Sequence, residues 1–232
     1  MASLYIVSTP IGNRKDITLR ALEVLSEVEI ILCEDTRKTG QLLKFYEETE
    51  NKEFKAKLVS YYEEVEERKI PEVIEFLKQN KQVALVSNSG TPLISDPGFK
   101  LVRECIKEKI KVISIPGASA ILAALVTSGL PTNNFTFLGF LPKKQGKKEK
   151  IIDKVKQIQE IFPQTVVFYE SPFRILKTLK LLEEKTPEAK IVLARELTKK
   201  FEEIMRGKAS ELIEKLENKK IKGEIVVLVS TD

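Results

Sequence analysis

One segment, residues 84–98 with the sequence ALVSNSGTPLISDPG, constrains the fold of this chain more than any other. The apolar run 83–86 is typical of a short buried strand, and the polar residues, glycine and prolines that follow favour turns. An amphipathic stretch at 99–106 then predicts a helix. An ordinary strand-to-helix connection usually spans roughly 2–6 residues, so this longer one indicates a ligand-binding loop. Open α/β sheets bind their ligands at this end of their strands.

The same order of strand, polar loop and helix recurs through the first half of the chain. Short apolar runs predict strands at 4–7, 29–33, 57–60, 83–86 and 112–115. Apolar residues at helical spacing predict helices at 19–28, around 42–45, at 70–78 and at 99–106. This alternation predicts an α/β fold that begins with a parallel sheet.

The second half repeats neither the long loop nor the order of the first. Its apolar runs predict strands at 135–140, 165–169, 191–194, 202–206 and 224–229. Helices are predicted at 118–126, between the lysine-rich segment and the strand at 165–169, before 182 and at 210–216. Pro116 and Gly117 interrupt the pattern between the halves. We therefore predict two α/β domains, at residues 1–115 and 116–232.

Composition excludes several classes of function. The 232 residues contain no histidine and two cysteines, Cys33 and Cys105, so a zinc site and a histidine-assisted nucleophile are not expected. No apolar run approaches the roughly 18 residues that span a membrane, and the N-terminus lacks the basic start of a signal peptide. We expect a cytoplasmic protein without a membrane partner. The net charge of +5 is compatible with a polyanionic ligand.

Polar clusters follow several predicted strands: STPIGN, EDTR, SNSGTP, ESPFR and ARELT. In a parallel sheet such strand ends lie along one edge, which favours a shared site. Asp35 and Glu170 are candidate general bases, and Arg37 and Arg174 are candidate groups for positioning a phosphate or a nucleobase. A structural ion pair is an equally good interpretation of each charged cluster.

A lysine-rich segment follows the strand predicted at 135–140 and has two equally good interpretations. It is either a solvated helix start or loop, or a surface that contacts RNA phosphates. Its lysines are Lys143, Lys144, Lys147, Lys148 and Lys150.

Neither common phosphate-binding glycine motif, G-x-G-x-x-G or G-x-x-x-x-G-K-[ST], occurs in the chain. A ligand that contains adenosine and an amino acid but no phosphate needs only backbone contacts and an apolar groove. Dinucleotide-binding and P-loop functions therefore have no support in the sequence.

Taken together, these segments resemble one family nearly end to end. They are LYIVSTPIGNRKDITLRALEVL, CEDTRKTGQLL, ALVSNSGTPLISDPG, SIPGASA, LPTNNFTFLGFLPKK, FYESPFRI, LARELTK and KGEIVVLV. They are similar to the ribosomal RNA small-subunit (cytidine-2′-O)-methyltransferases of the tetrapyrrole-methylase superfamily. The resemblance implies two α/β domains with a cleft for S-adenosyl-L-methionine between them, and a homodimer. It also implies methylation of a cytidine ribose in the decoding region of 16S rRNA, within the 30S subunit.

The resemblance also assigns residues to the cofactor. The loops after the strands at 4–7 and 83–86 would touch it, the small residues 118–120 would face its methionine or ribose part, and three later residues would enclose the adenine. The set is Ile11, Gly12, Gly90, Thr91, Pro92, Ile94, Ala118, Ser119, Ala120, Tyr169, Ala194 and Glu224. The lysines expected to contact RNA are Lys143, Lys144, Lys147 and Lys148.

The chain departs from the family pattern in two places. Asn88 stands where the family usually has Asp, and Tyr62, Glu63, Glu64 and Val65 stand where a His-x-His-Asn pattern is common. Two other functions therefore stay open at this point. One is methylation of a small, tetrapyrrole-like acceptor, and the other is a non-catalytic RNA-binding role in ribosome assembly.

Overall fold

The computed structural model describes residues 2–231, and the chain divides into two compact units, Met1–Ser119 and Ala120–Asp232. This division lies close to the boundary predicted after residue 115. Within residues 2–231, no helix combines the length and the apolar composition that crossing a membrane requires.

The first unit is built on a parallel sheet of five strands in the order β3-β2-β4-β1-β5. The strands are β1 (Ser3–Val7), β2 (Ile30–Cys33), β3 (Lys57–Ser60), β4 (Val83–Val86) and β5 (Lys111–Ile115). Strand β1 is paired on both sides, so its carboxyl end lies beside those of β4 and β5. The predicted parallel sheet is present.

Helices follow the strands of the first unit: α1 (Leu19–Glu27), α2 (Thr36–Glu50), α3 (Glu66–Lys78) and α4 (Phe99–Lys107). Apolar side chains cover both faces of the sheet. Leu4 and Leu85 are buried on one face, and Val7 and Ala84 are buried on the other. Burial on both faces explains why these strands are continuously apolar in sequence.

The second unit contains a mixed sheet in the order β6-β7-β10-β8-β9. Its strands are β6 (Phe135–Phe140), β7 (Thr165–Glu170), β8 (Lys190–Arg195), β9 (Glu203–Gly207) and β10 (Ile225–Ser230). β6 and β7 are parallel, whereas β10 runs antiparallel to both β7 and β8. The helices are α5 (Ala120–Ser128), α6 (Gln145–Ile161), α7 (Ile175–Lys185) and α8 (Ala209–Leu216).

Two helices begin two or more residues away from their predicted starts. α3 begins at Glu66, within the charged stretch that precedes the predicted start at residue 70. α5 begins at Ala120 instead of residue 118 and continues to Ser128. In α3, the acidic residues Glu66 and Glu67 lie in the first turn, where they interact favourably with the helix dipole.

Candidate functional site

The loops after β1 and β4 are joined by a two-hydrogen-bond backbone bridge. The N–H of Thr9 donates to the carbonyl of Gly90 at 2.9 Å, and the N–H of Gly90 donates to the carbonyl of Thr9 at 3.1 Å. The Thr9 hydroxyl also donates to the carbonyl of Ser87 at 3.2 Å. These bonds hold the STPIGN and SNSGTP loops as one structure.

A pair of hydroxyls connects the same loops to the segment after β5. The hydroxyls of Ser8 and Thr91 lie 3.0 Å apart, and Thr91 donates to the carbonyl of Ala118 at 3.1 Å. The Ser8 N–H donates to the carbonyl of Ile115 at 3.2 Å. The first unit thus brings predicted cofactor residues from three strand ends together.

Gly90 lies at the centre of this cluster, which we call the loop cluster (residues 8–12, 87–92 and 116–119). Its φ of +81° is one that residues with a side chain rarely adopt. A Cβ at this position would lie 3.2 Å from Cγ2 of Ile11 and 3.7 Å from the carbonyl oxygen of Ala118. Glycine therefore leaves a narrow space lined by backbone and by a single apolar side chain.

The other predicted cofactor residues of the first unit differ in exposure. Pro92 is buried, Gly12 is exposed, and Ser119 is partly buried. Ile94 is 43% exposed in the segment that returns to α4. Backbone groups, two hydroxyls and small side chains suit a phosphate-free ligand such as S-adenosylmethionine, which supports the fit of that cofactor.

Asn88 of the β4 loop binds Glu34, which follows β2. Its backbone N–H donates to Oε1 of Glu34 at 3.2 Å, and its side-chain amide donates to Oε2 at 3.1 Å. The amide therefore complements a carboxylate, which an Asp at this position would repel.

Asp35 caps helix α2 and binds Arg37. Its Oδ1 accepts from the backbone N–H of Arg37 at 3.0 Å, while the guanidinium of Arg37 donates to both carboxylate oxygens. The side-chain hydrogen bond from Arg37 is the main reason that the pKa of Asp35 falls to about 2. A carboxylate with so low a pKa accepts a proton weakly near neutral pH, so these contacts favour a capping role over that of a base.

Glu66 is a buried residue that the sequence pattern does not identify. Its Oε1 accepts from the backbone N–H groups of Gly98 at 3.0 Å and Lys100 at 3.2 Å, and from the hydroxyl of Tyr61 at 3.3 Å. Glu66 thereby caps α4 and fixes the end of the long loop that begins at Ser87. The four glutamates among residues 63–67 give no sign in the sequence of which one is buried.

In the second unit, Glu170 lies at the centre of a buried ionic network. Its side chain is fully buried, and it binds Arg174 at 2.6 Å, the Thr178 hydroxyl at 2.7 Å and Lys148 at 3.5 Å. Arg174 also donates to the carbonyl of Leu141 at 3.1 Å. Because partners surround the carboxylate, the geometry favours a structural role for Glu170 over that of a base.

Lys148 requires a correction to the sequence-based interpretation. The pattern grouped it with the lysines that contact RNA, but its side chain is only 5% exposed and donates to Thr178 at 2.8 Å. Lys148 precedes the buried residues Ile152 and Gln159 on the inner face of α6, and this helical spacing is the signal that distinguishes it. The exposed lysines are Lys143, Lys144, Lys147 and Lys150.

Two of the three predicted adenine-enclosing residues lie opposite the same residue of the second sheet. Tyr169 on β7 and Ala194 on β8 both pair with Val226 of β10, on its two sides. Glu224 lies immediately before β10, and its carbonyl accepts a hydrogen bond from the N–H of Glu196 at 3.3 Å. The ring of Tyr169 also contacts Phe137 and Phe140, with centroids 5.0 and 5.3 Å away.

Comparison with known proteins assigns the whole arrangement to a family. The family model described as Tetrapyrrole (Corrin/Porphyrin) Methylases matches residues 3–213. A protein of Hydrogenobaculum sp. named Ribosomal RNA small subunit methyltransferase I is 46% identical over 99% of this chain and 96% of its own length. A protein of the same name from Thermotoga maritima is 44% identical over 99% of both chains.

A solved structure agrees on the fold. Uroporphyrin-III C-methyltransferase of Thermus thermophilus, in complex with S-adenosylhomocysteine, superimposes with a TM-score of 0.66. The match covers 98% of this chain and 97% of that one at 16% sequence identity. At this level of identity the likeness concerns the fold alone.

Proposed function

Because the chain belongs to the tetrapyrrole methylase family, we propose that it methylates the ribose 2′-hydroxyl of a cytidine in 16S rRNA. Its methyl donor is S-adenosyl-L-methionine. The observation that carries the choice of acceptor is the identity of 44–46%, over nearly full length, to proteins named for small-subunit rRNA methylation.

We assign the donor's contacts in the first unit to the loop cluster and to the segment that follows it. The narrow space beside Gly90 suits close approach of a ligand to the backbone, and Thr91 is held in place by Ser8 and Ala118. The residues of this unit are Ile11, Gly12, Gly90, Thr91, Pro92, Ile94, Ala118 and Ser119. In the second unit we assign Ala120, Tyr169, Ala194 and Glu224.

When bound, the donor supplies a methyl group that its sulfonium already activates. The protein therefore contributes mainly alignment of the acceptor oxygen, which accounts for much of the rate in reactions of this kind. The bridge between Thr9 and Gly90 fixes the loops before any ligand arrives. Asp35 and Glu170 act through the groups they bind, Arg37 and Arg174, instead of removing the proton themselves.

The two arginines differ in their availability to RNA. The Arg37 side chain is 86% exposed and can approach a phosphate, whereas Arg174 is 23% exposed and holds the carbonyl of Leu141. Arg37 is thus the better candidate for direct contact. We further propose that the protein acts as a cytoplasmic homodimer on the 30S subunit.

Transfer of labelled methyl groups to isolated 30S subunits tests the function. The labelled rRNA is then digested, and mass spectrometry is used to find 2′-O-methylcytidine. We expect one labelled cytidine in 16S rRNA. Label on a tetrapyrrole precursor but not on 30S subunits would contradict the acceptor, and absence of S-adenosylmethionine binding by calorimetry would contradict catalysis altogether.

A further inference from the structure

Phe173 is the most exposed large apolar side chain in residues 2–231, at 93%. It belongs to the turn that connects β7 to α7. Single exposed apolar residues are common on protein surfaces, so exposure alone indicates no function. Phe173 differs because its backbone is fixed and because its surroundings carry unpaired positive charge.

The turn that carries Phe173 is held by a buried carboxylate. Oε1 of Glu170 accepts from the backbone N–H of Ser171 at 2.8 Å and from the guanidinium of Arg174 at 2.6 Å. The N–H of Arg174 donates to the carbonyl of Ser171 at 3.0 Å, which closes the turn. The aromatic ring is therefore exposed on a rigid turn. Binding a ligand there would cost little further conformational entropy.

The same sheet edge carries the lysine-rich segment. β6 and β7 are parallel neighbours in which Phe140 pairs with Tyr169, so the residues that follow both strands leave the sheet at one edge. The hydrogen bond from Arg174 to the carbonyl of Leu141 joins the two connections directly. Phe140 itself is 57% exposed there.

The lysines at this edge are available to a ligand. Lys143, Lys144 and Lys147 are exposed, and in residues 2–231 none of the three forms an ion pair. Lys148, which is buried against Glu170 and Thr178, anchors the first turn of α6 beneath them. We call Phe140, Phe173 and the three exposed lysines the lysine–aromatic edge.

We propose that the lysine–aromatic edge binds an unpaired RNA segment, with one base stacked on Phe173 and the phosphates beside the lysines. Aromatic rings interleaved with cationic side chains suit single strands, because an unpaired base has a free face while a duplex encloses its bases. The proposal rests on RNA being the acceptor. It adds the conformation of that RNA and a stacking residue outside the loop cluster.

Binding of the full-length protein to fluorescent RNA tests the proposal. The probes are an unstructured RNA oligonucleotide and a duplex of the same sequence, and anisotropy gives their dissociation constants. We expect the single strand to bind more tightly, and Phe173→Ala to weaken its binding by about 5- to 100-fold. Phe173→Trp should retain the affinity because it preserves a stacking face.

Phe162→Ala is the matched control. Phe162 is 53% exposed and follows α6, at the opposite edge of the same sheet, where β7 begins. Its replacement removes another exposed phenylalanine ring and should leave RNA binding unchanged. Melting temperatures of both variants should equal that of the wild type, since neither ring is buried.

The lysines give an independent readout. Each of Lys144→Ala and Lys147→Ala should reduce the slope of log affinity against log salt by about 0.7 for a single strand.

Unchanged single-strand affinity in Phe173→Ala, or an equal loss of affinity for the duplex, would overturn the stacking proposal. If Phe173→Ala binds RNA as the wild type does and both proteins methylate 30S subunits, the stacking proposal is wrong and the proposed function stands. If Phe173→Ala loses RNA binding but the wild type methylates no rRNA, the proposed function is wrong and the stacking proposal stands.

Discussion

The side-chain amide of Asn88 donates to the carboxylate of Glu34 at 3.1 Å, and its backbone N–H donates to the other oxygen of that carboxylate at 3.2 Å. This contact joins the end of β2 to the loop after β4. It explains how the loop tolerates Asn where the resembling family usually has Asp: the amide supplies a donor that a carboxylate lacks.

We predict that Asn88→Asp destabilises the protein at neutral pH. The new carboxylate would replace the hydrogen bond to Glu34 with a like-charge contact at about 3 Å. Because solvent reaches this pair, we expect the loss of unfolding free energy to be about 1 kcal/mol. Thermal unfolding measured at pH 7 and at about pH 4, where an Asp is half protonated, checks the prediction. The difference in melting temperature between Asn88→Asp and the wild type should be smaller at the lower pH. A difference that does not depend on pH would contradict the prediction. Asn88→Ala, which removes the donor without adding charge, is the control.

Gly90→Ala should weaken S-adenosylmethionine binding. The added Cβ would approach Ile11 to 3.2 Å and occupy the space that the proposed cofactor contacts. Gly129→Ala is the matched control, because Gly129 also has a positive φ, +77°, but an added Cβ meets nothing within 4 Å. Calorimetry should show at least a tenfold loss of affinity in the first variant, equivalent to about 1.4 kcal/mol, and no loss in the second. Equal affinities would place the cofactor elsewhere.

Replacement of Glu66 should separate hydrogen bonding from charge. Glu66→Ala leaves two backbone N–H groups and the Tyr61 hydroxyl without their acceptor, so we expect a loss of about 2–4 kcal/mol of unfolding free energy. Glu66→Gln keeps an acceptor oxygen and should cost about 1 kcal/mol or less. Urea denaturation measures both.

Glu67→Ala is the control for the Glu66 variants. Glu67 is exposed and pairs with Lys100 at 2.6 Å, so its removal should destabilise the protein far less than removal of Glu66. If Glu66→Ala proved as mild as Glu67→Ala, the capping role of Glu66 would be wrong.

The Asp35–Arg37 pair should contribute to stability only above acid pH. The pKa of Asp35 lies at about 2 in the folded protein, below the value of about 4 expected in an unfolded chain. The unfolded chain therefore binds the proton first, and the stabilisation is lost as pH falls from about 4 to about 2. Asp35→Asn keeps a capping oxygen but removes the titration, so its melting temperature should depend less on pH in that window. The prediction would be contradicted if the melting temperature of Asp35→Asn fell with pH in that window as steeply as that of the wild type.

The local pattern of the sequence predicts the strands of both sheets, because each strand is a short apolar run between polar turns. It does not predict their neighbours. The apolar run of β10 could pair with any strand, and only the folded structure places it between β7 and β8. The loop cluster is predictable because parallel strands end at one edge; the contact of Thr91 with Ala118 depends on packing between distant segments.

Charged residues mark the limit of sequence reasoning. Glu66 and Lys148 each belong to a run of like charges, and each is buried because partners far away in sequence accept or supply its hydrogen bonds. The helical period would have placed Lys148 on the inner face of α6. No local pattern distinguishes Glu66 from Glu67, since the partners of Glu66 at Gly98 and Lys100 lie at the start of another helix.

The difference between neighbouring lysines gives the last prediction. Lys148→Met removes a buried cation and leaves Glu170 with Arg174 and Thr178, so we expect a loss of about 1–3 kcal/mol of unfolding free energy. Lys147→Met, one residue away and exposed, should change stability by less than about 0.5 kcal/mol. The same pair should behave oppositely toward RNA, because only Lys147 can reach a phosphate. Denaturation and salt-dependent RNA binding are measured on both variants. The assignment of Lys148 to the core would be refuted if Lys148→Met lowered the slope of log RNA affinity against log salt while leaving stability unchanged.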